Sequence, residues 1–343
     1  MHTQTAFYQS LYRWYDQNAR ILPWRETQDP YKIWVSEIIL QQTRVSQGMA
    51  YYLRFVERFP TIRALASAQE AEVLRYWQGL GYYSRARNMH RAAKQIAETY
   101  AEGMPATFEQ LRQLPGVGDY TAGAIASFAY NLPFPALDGN VYRVLSRLYD
   151  AAEVFDTSKG KKYFHHLAEN LIDREQPRLF NSALMELGAL QCLPVSPECD
   201  VCPLERFCQA RAHGTVELLP VRKPRPQLTD RYLTYSVFLS GERTIIYQRQ
   251  EKDIWQHLWE FPLKESSERG SKPDAPYRDW VHVLSHQRLH ARFVERHVSS
   301  LESVLMDIQP SFPSARIVSL GELDDYPLSR LTEKELEYLF RNR

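Results

Sequence analysis

The run Leu114-Pro115-Gly116-Val117-Gly118 joins two stretches of helical pattern, and Asp138 follows Gly118 by twenty residues in Leu137-Asp138-Gly139-Asn140-Val141. Glycines at this spacing let the backbone turn tightly and bring amide N–H groups close to a ligand at the start of the next helix, where a phosphate fits. An ordinary helix–helix turn has the same composition. Upstream, between Val73 and Ala97, the only charges are Arg75, Arg85, Arg87, Arg91 and Lys94. They make a local basic surface that also carries Tyr82 and Tyr83, for which solvated helix charge is the competing account.

Outward from the hairpin, apolar residues recur at three- and four-residue spacing from Ala6 to about Leu204, as in Phe7-Leu11-Trp14, Tyr52-Phe55-Phe59 and Leu167-Leu171. No strand pattern interrupts them. Asp29-Pro30 and the glycines 79, 81, 103 and 188 read as helix ends. From Val216 to Gln227 three prolines interleave with Arg222, Lys223 and Arg225, which disfavours both helix and central strand. The expected organisation is a helical region over 1–215, a linker over 216–228 and a smaller α+β domain over 229–343. The last rests on β-branched and aromatic runs at Arg231–Leu239 and Thr244–Arg249 and on the alternation Leu289, Ala291, Phe293. A closing helix is expected to start at Thr332, whose spacing to Glu335 is that of a capping box.

A chain of 343 residues, 44% hydrophobic and 13% aromatic, has room for two domains and is too rich in core-forming side chains to be disordered. With 42 Lys+Arg against 41 Asp+Glu it has no global field for an acidic partner, so nucleic-acid binding must rest on local patches. Met1 to Ser10 shows neither a basic start nor an apolar signal stretch, and Asn131, Pro133 and Pro135 break the uncharged run Tyr120–Leu137. The expectation is a cytoplasmic protein with no membrane segment.

Four cysteines are present and all lie between Cys192 and Cys208, spaced C-x6-C-x2-C-x5-C at 192, 199, 202 and 208. A reduced compartment and one shared ligand follow, because four soft thiolates suit an iron–sulfur cluster or zinc. Structural zinc usually pairs two short knuckles, whereas only Cys199 and Cys202 form one here, which favours a 4Fe-4S cluster. With all four ligands used, such a cluster clamps the loop and has no open site for hydrolysis.

Two carboxylates stand out. Glu37 lies among Ile33, Trp34, Val35, Ile38, Ile39 and Leu40, so burial should favour its neutral, proton-donating form; a buried structural glutamate is the alternative. Asp138 lies in a Pro/Gly-flanked loop ahead of a helix, where capping by itself or by Asn140 is the plain reading. Cleaving a base–sugar bond needs an acid for the departing base and an anion for the positive sugar.

The hairpin, Asp138 and the cysteine loop together resemble the helix-hairpin-helix DNA glycosylases of the endonuclease III superfamily, over roughly Ala6 to Arg211. Within it, Trp24-Arg25 and Val35-Ser36-Glu37-Ile38-Ile39-Leu40-Gln41-Gln42-Thr43 resemble the branch that removes adenine mispaired with 8-oxoguanine. The resemblance implies one 4Fe-4S cluster on Cys192, Cys199, Cys202 and Cys208, no diffusible redox cofactor, double-stranded DNA as partner, and a monomer. Glu37 then matches the acid that protonates adenine at N7, and Asp138 the carboxylate that stabilises the oxocarbenium ion or attacks it transiently. Tyr120 stands where strand-cutting relatives carry a Schiff-base lysine, which implies a monofunctional enzyme. Asn140, Glu186 and Arg25 match a supporting hydrogen bond and two adenine-pocket contacts. Gly116, Val117 and Gly118 match the DNA-phosphate turn. Gln42 and Tyr82 match wedges that hold the vacated duplex open, with Thr43 and Leu80 beside the opposing base; read as plain sequence, Gln42 is a helix-end polar residue and Tyr82 a core aromatic.

Trp259-Glu260-Phe261-Pro262 and the strand pattern around it resemble the Nudix-like C-terminal domain of the same family. Between Phe261 and Arg278 no run of paired glutamates is available for Mg²⁺, so the domain should recognise and not hydrolyse. Ser285-His286 matches the loop that inspects the oxidised guanine, and Leu284 departs from the aromatic expected before it. His282, His286 and His290 recur at a spacing that would align metal ligands on a helix, but the strand-like composition downstream favours surface histidines. Two other functions fit parts of the pattern: a pyrimidine or thymine-mismatch glycosylase of the same superfamily, and a noncatalytic DNA-binding iron–sulfur protein.

Overall fold

A computed structural model describes residues 2–100, 103–224, 227–268, 270 and 272–341. Helices come first: α1 (His2–Asn18), α2 (Pro30–Leu40), α3 (Val45–Arg58), α4 (Ile62–Ser67), α5 (Glu70–Trp77), α6 (Ser84–Thr99), α7 (Phe108–Arg112), α8 (Asp119–Tyr130), α9 (Gly139–Leu148), α10 (Ser158–Leu171), α11 (Pro177–Leu190) and α12 (Gln209–His213). Strands β1 (Thr229–Ser240), β2 (Arg243–Gln248), β3 (Trp259–Glu260), β4 (Leu263–Ser266), β5 (Tyr277–Val283) and β6 (Gln287–His297) follow, then α13 (Leu301–Ile308), β7 (Arg316–Ser319) and α14 (Arg330–Arg341). Among the described residues no strand precedes Thr229, as the three- and four-residue periodicity implies.

The contacts divide the chain into two compact units that do not follow chain order. One comprises Met1–Ala66 and Arg91–Pro224; the other joins Ser67–His90 to Arg225–Arg343. The helical unit is built on α9 and α11, whose Val141, Val144, Leu145, Leu148, Phe180 and Leu184 pack with Phe7 and Leu11 of α1 and Phe164 of α10. Within α11, Gly188 is a close-approach position and not the helix end its sequence context implies. An added Cβ would stand 2.7 Å from the Cβ of Asn140 and 2.9 Å from its carbonyl oxygen. Only a residue without a side chain lets α11 lie this near the start of α9.

The second unit holds a seven-stranded sheet of order β3-β2-β1-β6-β5, with β4 on β1 and β7 on β2. β1 and β6 run parallel, pairing Thr229 with Gln287 and Tyr235 with Phe293, and the remaining pairs are antiparallel. Side chains alternate across β1, so Leu233, Tyr235, Val237 and Leu239 are buried with Leu289, Ala291 and Phe293 of β6. The Tyr235 and Phe293 rings stack with centroids 4.4 Å apart. No helix lies between Phe261 and Tyr277 among the described residues; the segment carries β4.

Two other expectations change. The proline-rich stretch opens with a 3-10 turn at Val216–Leu218, because Arg147 donates from Nε to the carbonyls of Val216 at 3.0 Å and Leu219 at 3.2 Å and fixes it to α9. The last helix starts at Arg330, ahead of Thr332. The hydroxyl of Ser329 accepts from the Thr332 amide at 3.3 Å, while Glu335 is fully buried and accepts from Arg278 at 2.8 Å and from the Trp280 indole at 3.0 Å. With its carboxylate so engaged, Glu335 does not reach back to cap the helix.

Replacing Gly188 by Ala is expected to lower stability by about 1–3 kcal/mol through overpacking, read as a shifted denaturation midpoint. An unchanged midpoint would show that α9 and α11 can separate freely.

Candidate active site

Within the helical unit, Glu37 sits on α2, whose start is set by Pro30 at its first position and by the Asp29 side chain, which accepts from the Tyr31 amide at 2.9 Å. Apolar neighbours surround it, leaving Glu37 only 9% exposed. The Tyr120 hydroxyl, in the first turn of α8, donates to its Oε2 at 2.6 Å. Burial pushes the Glu37 carboxyl up to about 7, against the Tyr120 hydrogen bond and the charge of Arg25, with the negative charge of Asp138 adding to the rise. Burial, followed by the charges of Glu37 and Asp138, holds the Tyr120 phenol far above its ordinary range, so it acts as a donor.

Asp138 is the N-cap of α9. Its Oδ1 accepts from the Val141 amide and its Oδ2 from the Asn140 side chain, each at 2.8 Å. Burial raises this carboxyl too, but the hydrogen bonds of Val141 and Asn140 and the nearby Arg143 charge all favour the anion. The two carboxyls thus differ in donor supply: one phenol serves Glu37, while a helix start and a carboxamide serve Asp138. This difference favours the neutral form at Glu37 over the neutral form at Asp138. Arg143 continues the set, donating from Nη2 to Asn140 Oδ1 at 2.9 Å and from Nε to the Cys192 carbonyl at 2.7 Å. The helix start that holds Asp138 is thereby tied to the cysteine loop.

Glu186 is fully buried on α11 with both oxygens engaged. Oε1 accepts from Arg20 Nε at 2.7 Å, and Oε2 from Arg20 Nη2 at 2.8 Å and Arg25 Nη2 at 2.6 Å. Burial alone would raise its carboxyl, but the Arg20 and Arg25 hydrogen bonds bring it down to about 2. Its place is under Arg25. A cavity of about 40 Å³ opens beside Glu37, lined by Trp24, Arg25, Ser36, Phe128, Arg178 and Ser182 among others. Arg25 Nη1 and Arg178 Nε are buried there without a hydrogen-bond partner. Sequence reasoning missed Arg178, Ser182 and Phe128. A signal existed for the first two, because 178, 182 and 186 share one face of α11 at four-residue spacing.

The hairpin turn has the geometry its glycines allow. Gly116 adopts φ +77°, and Gly118 precedes α8 with no side chain capping the amides of its first turn. These donors are available to an anion. Gln42 follows α2 with φ +56°, exposed, beside the half-buried Thr43. Backbone held in the left-handed region by a residue other than glycine is characteristic of functional positions.

The four cysteines are unpaired and all line one cavity of about 30 Å³. Among the described residues no three His, Cys, Asp or Glu side chains converge on a point suited to a single ion. The thiols ring a space, an arrangement that fits a polynuclear group bound by soft ligands. Burial pushes Cys199 and Cys208 up and Cys202 up to about 12, so thiolates here need a countercharge. Arg147 supplies part of it, donating from Nη1 to Cys192 Sγ at 3.3 Å.

In the sheet-containing unit, Leu80, Tyr82, Ser285 and His286 line one cavity of about 290 Å³, together with Arg87, Asp253 and Trp255. Tyr82 has φ +47° and is 45% exposed. Its turn is braced by Arg85, which donates to the carbonyls of Leu80 at 3.3 Å and Gly81 at 3.2 Å and lies over the Trp77 and Tyr82 rings. Arg75 donates to Asp325 at 3.3 Å and Arg87 to the Gln256 carbonyl at 2.8 Å. Three cations of the basic surface read from sequence therefore carry internal bonds, because the segment packs in this unit. His282 and His290 lie on β5 and β6 with His286 in the turn between them, so they share no helix face.

A buried carboxyl pair, a glycine turn with open amides and a four-cysteine loop share one helical unit, as in a base-excision class of protein. In agreement, the model described as "HhH-GPD superfamily base excision DNA repair protein" matches residues 35–176, and "NUDIX domain" matches 234–338. The Adenine DNA glycosylase of Buchnera aphidicola subsp. Schizaphis graminum is 34% identical, over 83% of this chain and 86% of its own. That of Homo sapiens is 44% identical, over 63% of this chain and 41% of its own. The chain belongs to the adenine DNA glycosylase family. Among solved structures, a thermostable thymine-DNA glycosylase is similar with a TM-score of 0.56 at 26% identity, over 61% of this chain and 97% of its own. A non-covalent endonuclease III–DNA complex shares the fold, with a TM-score of 0.52 at 22% identity, over 62% of this chain and 99% of its own. No helix of the described residues is long and apolar enough to cross a membrane.

Because the native state favours protonated Glu37, its contribution is fully present below the ordinary carboxyl value of 4.5 and is lost as pH rises through about 7. Glu37→Gln removes this dependence, so denaturant unfolding at pH 5 and pH 8 should show the variant gaining on wild type by about 3 kcal/mol at the higher pH. Parallel pH dependence of the two proteins would place Glu37 in a polar environment after all.

Proposed function

We propose that this chain hydrolyses the N-glycosidic bond of adenine opposite 8-oxoguanine or guanine in duplex DNA, as a monofunctional glycosylase of base excision repair. The observation that carries the reading is the unequal donor supply of the two buried carboxyls, which favours an acid at Glu37 and an anion at Asp138. Glu37 gives its proton to N7 of the extruded adenine as the bond from the sugar to N9 breaks and its electron pair leaves with the base. Asp138 stabilises the oxocarbenium ion, water adds at the sugar carbon, and the proton released returns to the Glu37 carboxylate.

Arg25 and Arg178 have buried N–H groups without partners beside Glu37, matched to the ring-nitrogen acceptors of a purine, and Ser182 adds a hydroxyl. Glu186 positions Arg25, and Asn140 orients Asp138. Tyr120 offers a phenol and no amine, so no Schiff base forms there. Gln42 and Tyr82 act as wedges. Thr43, Leu80, Ser285 and His286 face the opposing base, which Leu284 contacts without an aromatic ring. The amides of Gly116, Val117 and Gly118 take a DNA phosphate, which makes affinity fall with salt. Cys192, Cys199, Cys202 and Cys208 would hold one 4Fe-4S cluster, which when bound supplies the loop with a rigid cross-link and the countercharge its thiolates require. The protein acts as a monomer in the cytoplasm, on the nucleoid if bacterial.

Single-turnover assays on an adenine:8-oxoguanine duplex should show Glu37→Gln and Asp138→Asn each losing about a thousandfold or more in rate with folding retained. Near-native turnover in either variant removes that residue's role. Release of a pyrimidine in preference to adenine would overturn the substrate assignment.

A further inference from the structure

β5 and β6 are joined by a tight turn closed by the Leu284 amide donating to the Gln287 carbonyl at 2.8 Å, which leaves Ser285 and His286 at its tip. The turn is held from one side by the first residues of β1. The His286 carbonyl accepts from the Thr229 amide at 3.3 Å and from the Thr229 hydroxyl at 3.1 Å. Two residues on, Arg231 Nη1 donates to Gln287 Oε1 at 3.2 Å.

Arg231 is itself fixed. It donates from Nη2 to Asp253 Oδ2 at 2.7 Å, and from Nε and Nη2 to the two oxygens of Glu265 at 2.7 and 2.8 Å. Asp253 also accepts from Arg249 Nη2 at 2.8 Å, and Arg249 donates from Nη1 at 2.9 Å to Glu260, which is buried in the Trp259-Glu260-Phe261-Pro262 segment. A continuous chain of charge-assisted hydrogen bonds therefore runs from the core of the sheet to the base of the turn. Asp253 lines the cavity of about 290 Å³ with Ser285 and His286, whereas Thr229 and Arg231 do not. Their influence on a base in that cavity has to pass through the turn.

We propose that Arg231 and Thr229 are positioning residues that hold the Ser285-His286 turn in register with the cavity and so set the preference for an oxidised over an unmodified guanine opposite the target adenine. The proposal rests on Ser285 and His286 being the groups that inspect that base. The two guanines differ by one oxygen and one ring proton, so discrimination depends on donor and acceptor placement to a few tenths of an ångström. A turn released from its guanidinium and hydroxyl anchors still exists, but samples positions in which neither side chain meets the lesion.

The test uses the full-length, iron-loaded protein and two duplexes, adenine:8-oxoguanine and adenine:guanine. Arg231→Gln should lower the ratio of kcat/KM between them about tenfold, the worth of one lost charged hydrogen bond. The change should fall in KM for the 8-oxoguanine duplex, with the single-turnover rate on adenine:guanine unchanged. Thr229→Val should act in the same direction, and Thr229→Ser should restore the preference. Ser285→Ala and His286→Ala run alongside. If those two reduce the ratio and Arg231→Gln does not, the positioning role is wrong. If none of the variants moves it, the assignment of the turn as the inspecting element fails first. Equal losses on both duplexes with a lower Tm mean that the ion pairs only stabilise the sheet, which also overturns the proposal.

Discussion

The hydrogen bond from the Val141 amide to Asp138 is the contact on which the site turns. It is a helix cap by geometry, and it also favours the anion of a carboxyl that burial pushes toward its neutral form. Without it, both carboxyls would face burial with little compensation and would compete for the same charge state. With it, Asp138 has donors that favour its anion, while Glu37, served by one phenol, is pushed toward its neutral form. The capping of α9 and the role proposed for Asp138 in the reaction therefore rest on the same bond.

Much of this was legible in the sequence because the physics is local. Six apolar neighbours around Glu37 imply its burial, Asp29-Pro30 fixes where α2 begins, and the cysteine spacing brings four thiols into one loop. What escaped was set by packing between distant segments. Gly188 looks like a helix end until α9 is laid against it. Ser329 caps α14 because Glu335 is drawn to Arg278 and Trp280, partners far away in the chain. Arg178 and Ser182 carry no motif of their own, and only the cavity beside Glu37 picks them out.

The division into two units has the same origin. Nothing in the composition of Ser67–His90 separates it from the helices around it, yet Gln78 accepts from the Leu328 amide at 3.2 Å and Arg87 donates to the Gln256 carbonyl. Long-range hydrogen bonds of this kind leave no periodic trace. They do have a result visible at once in three dimensions: Leu80 and Tyr82 come to line the same cavity as Ser285 and His286, some two hundred residues later.

Helix α11 carries Arg178, Ser182 and Glu186 along one face and presses Gly188 onto Asn140 near its far end. At 1.5 Å of rise per residue, these positions span about 15 Å on a single rod. The residues that line the cavity beside Glu37 and the glycine that sits against the start of α9 are thus marked off on a common ruler. A slip of one residue along it would displace both together, so insertions and deletions in α11 should be purged far more stringently than those in the loops at either end.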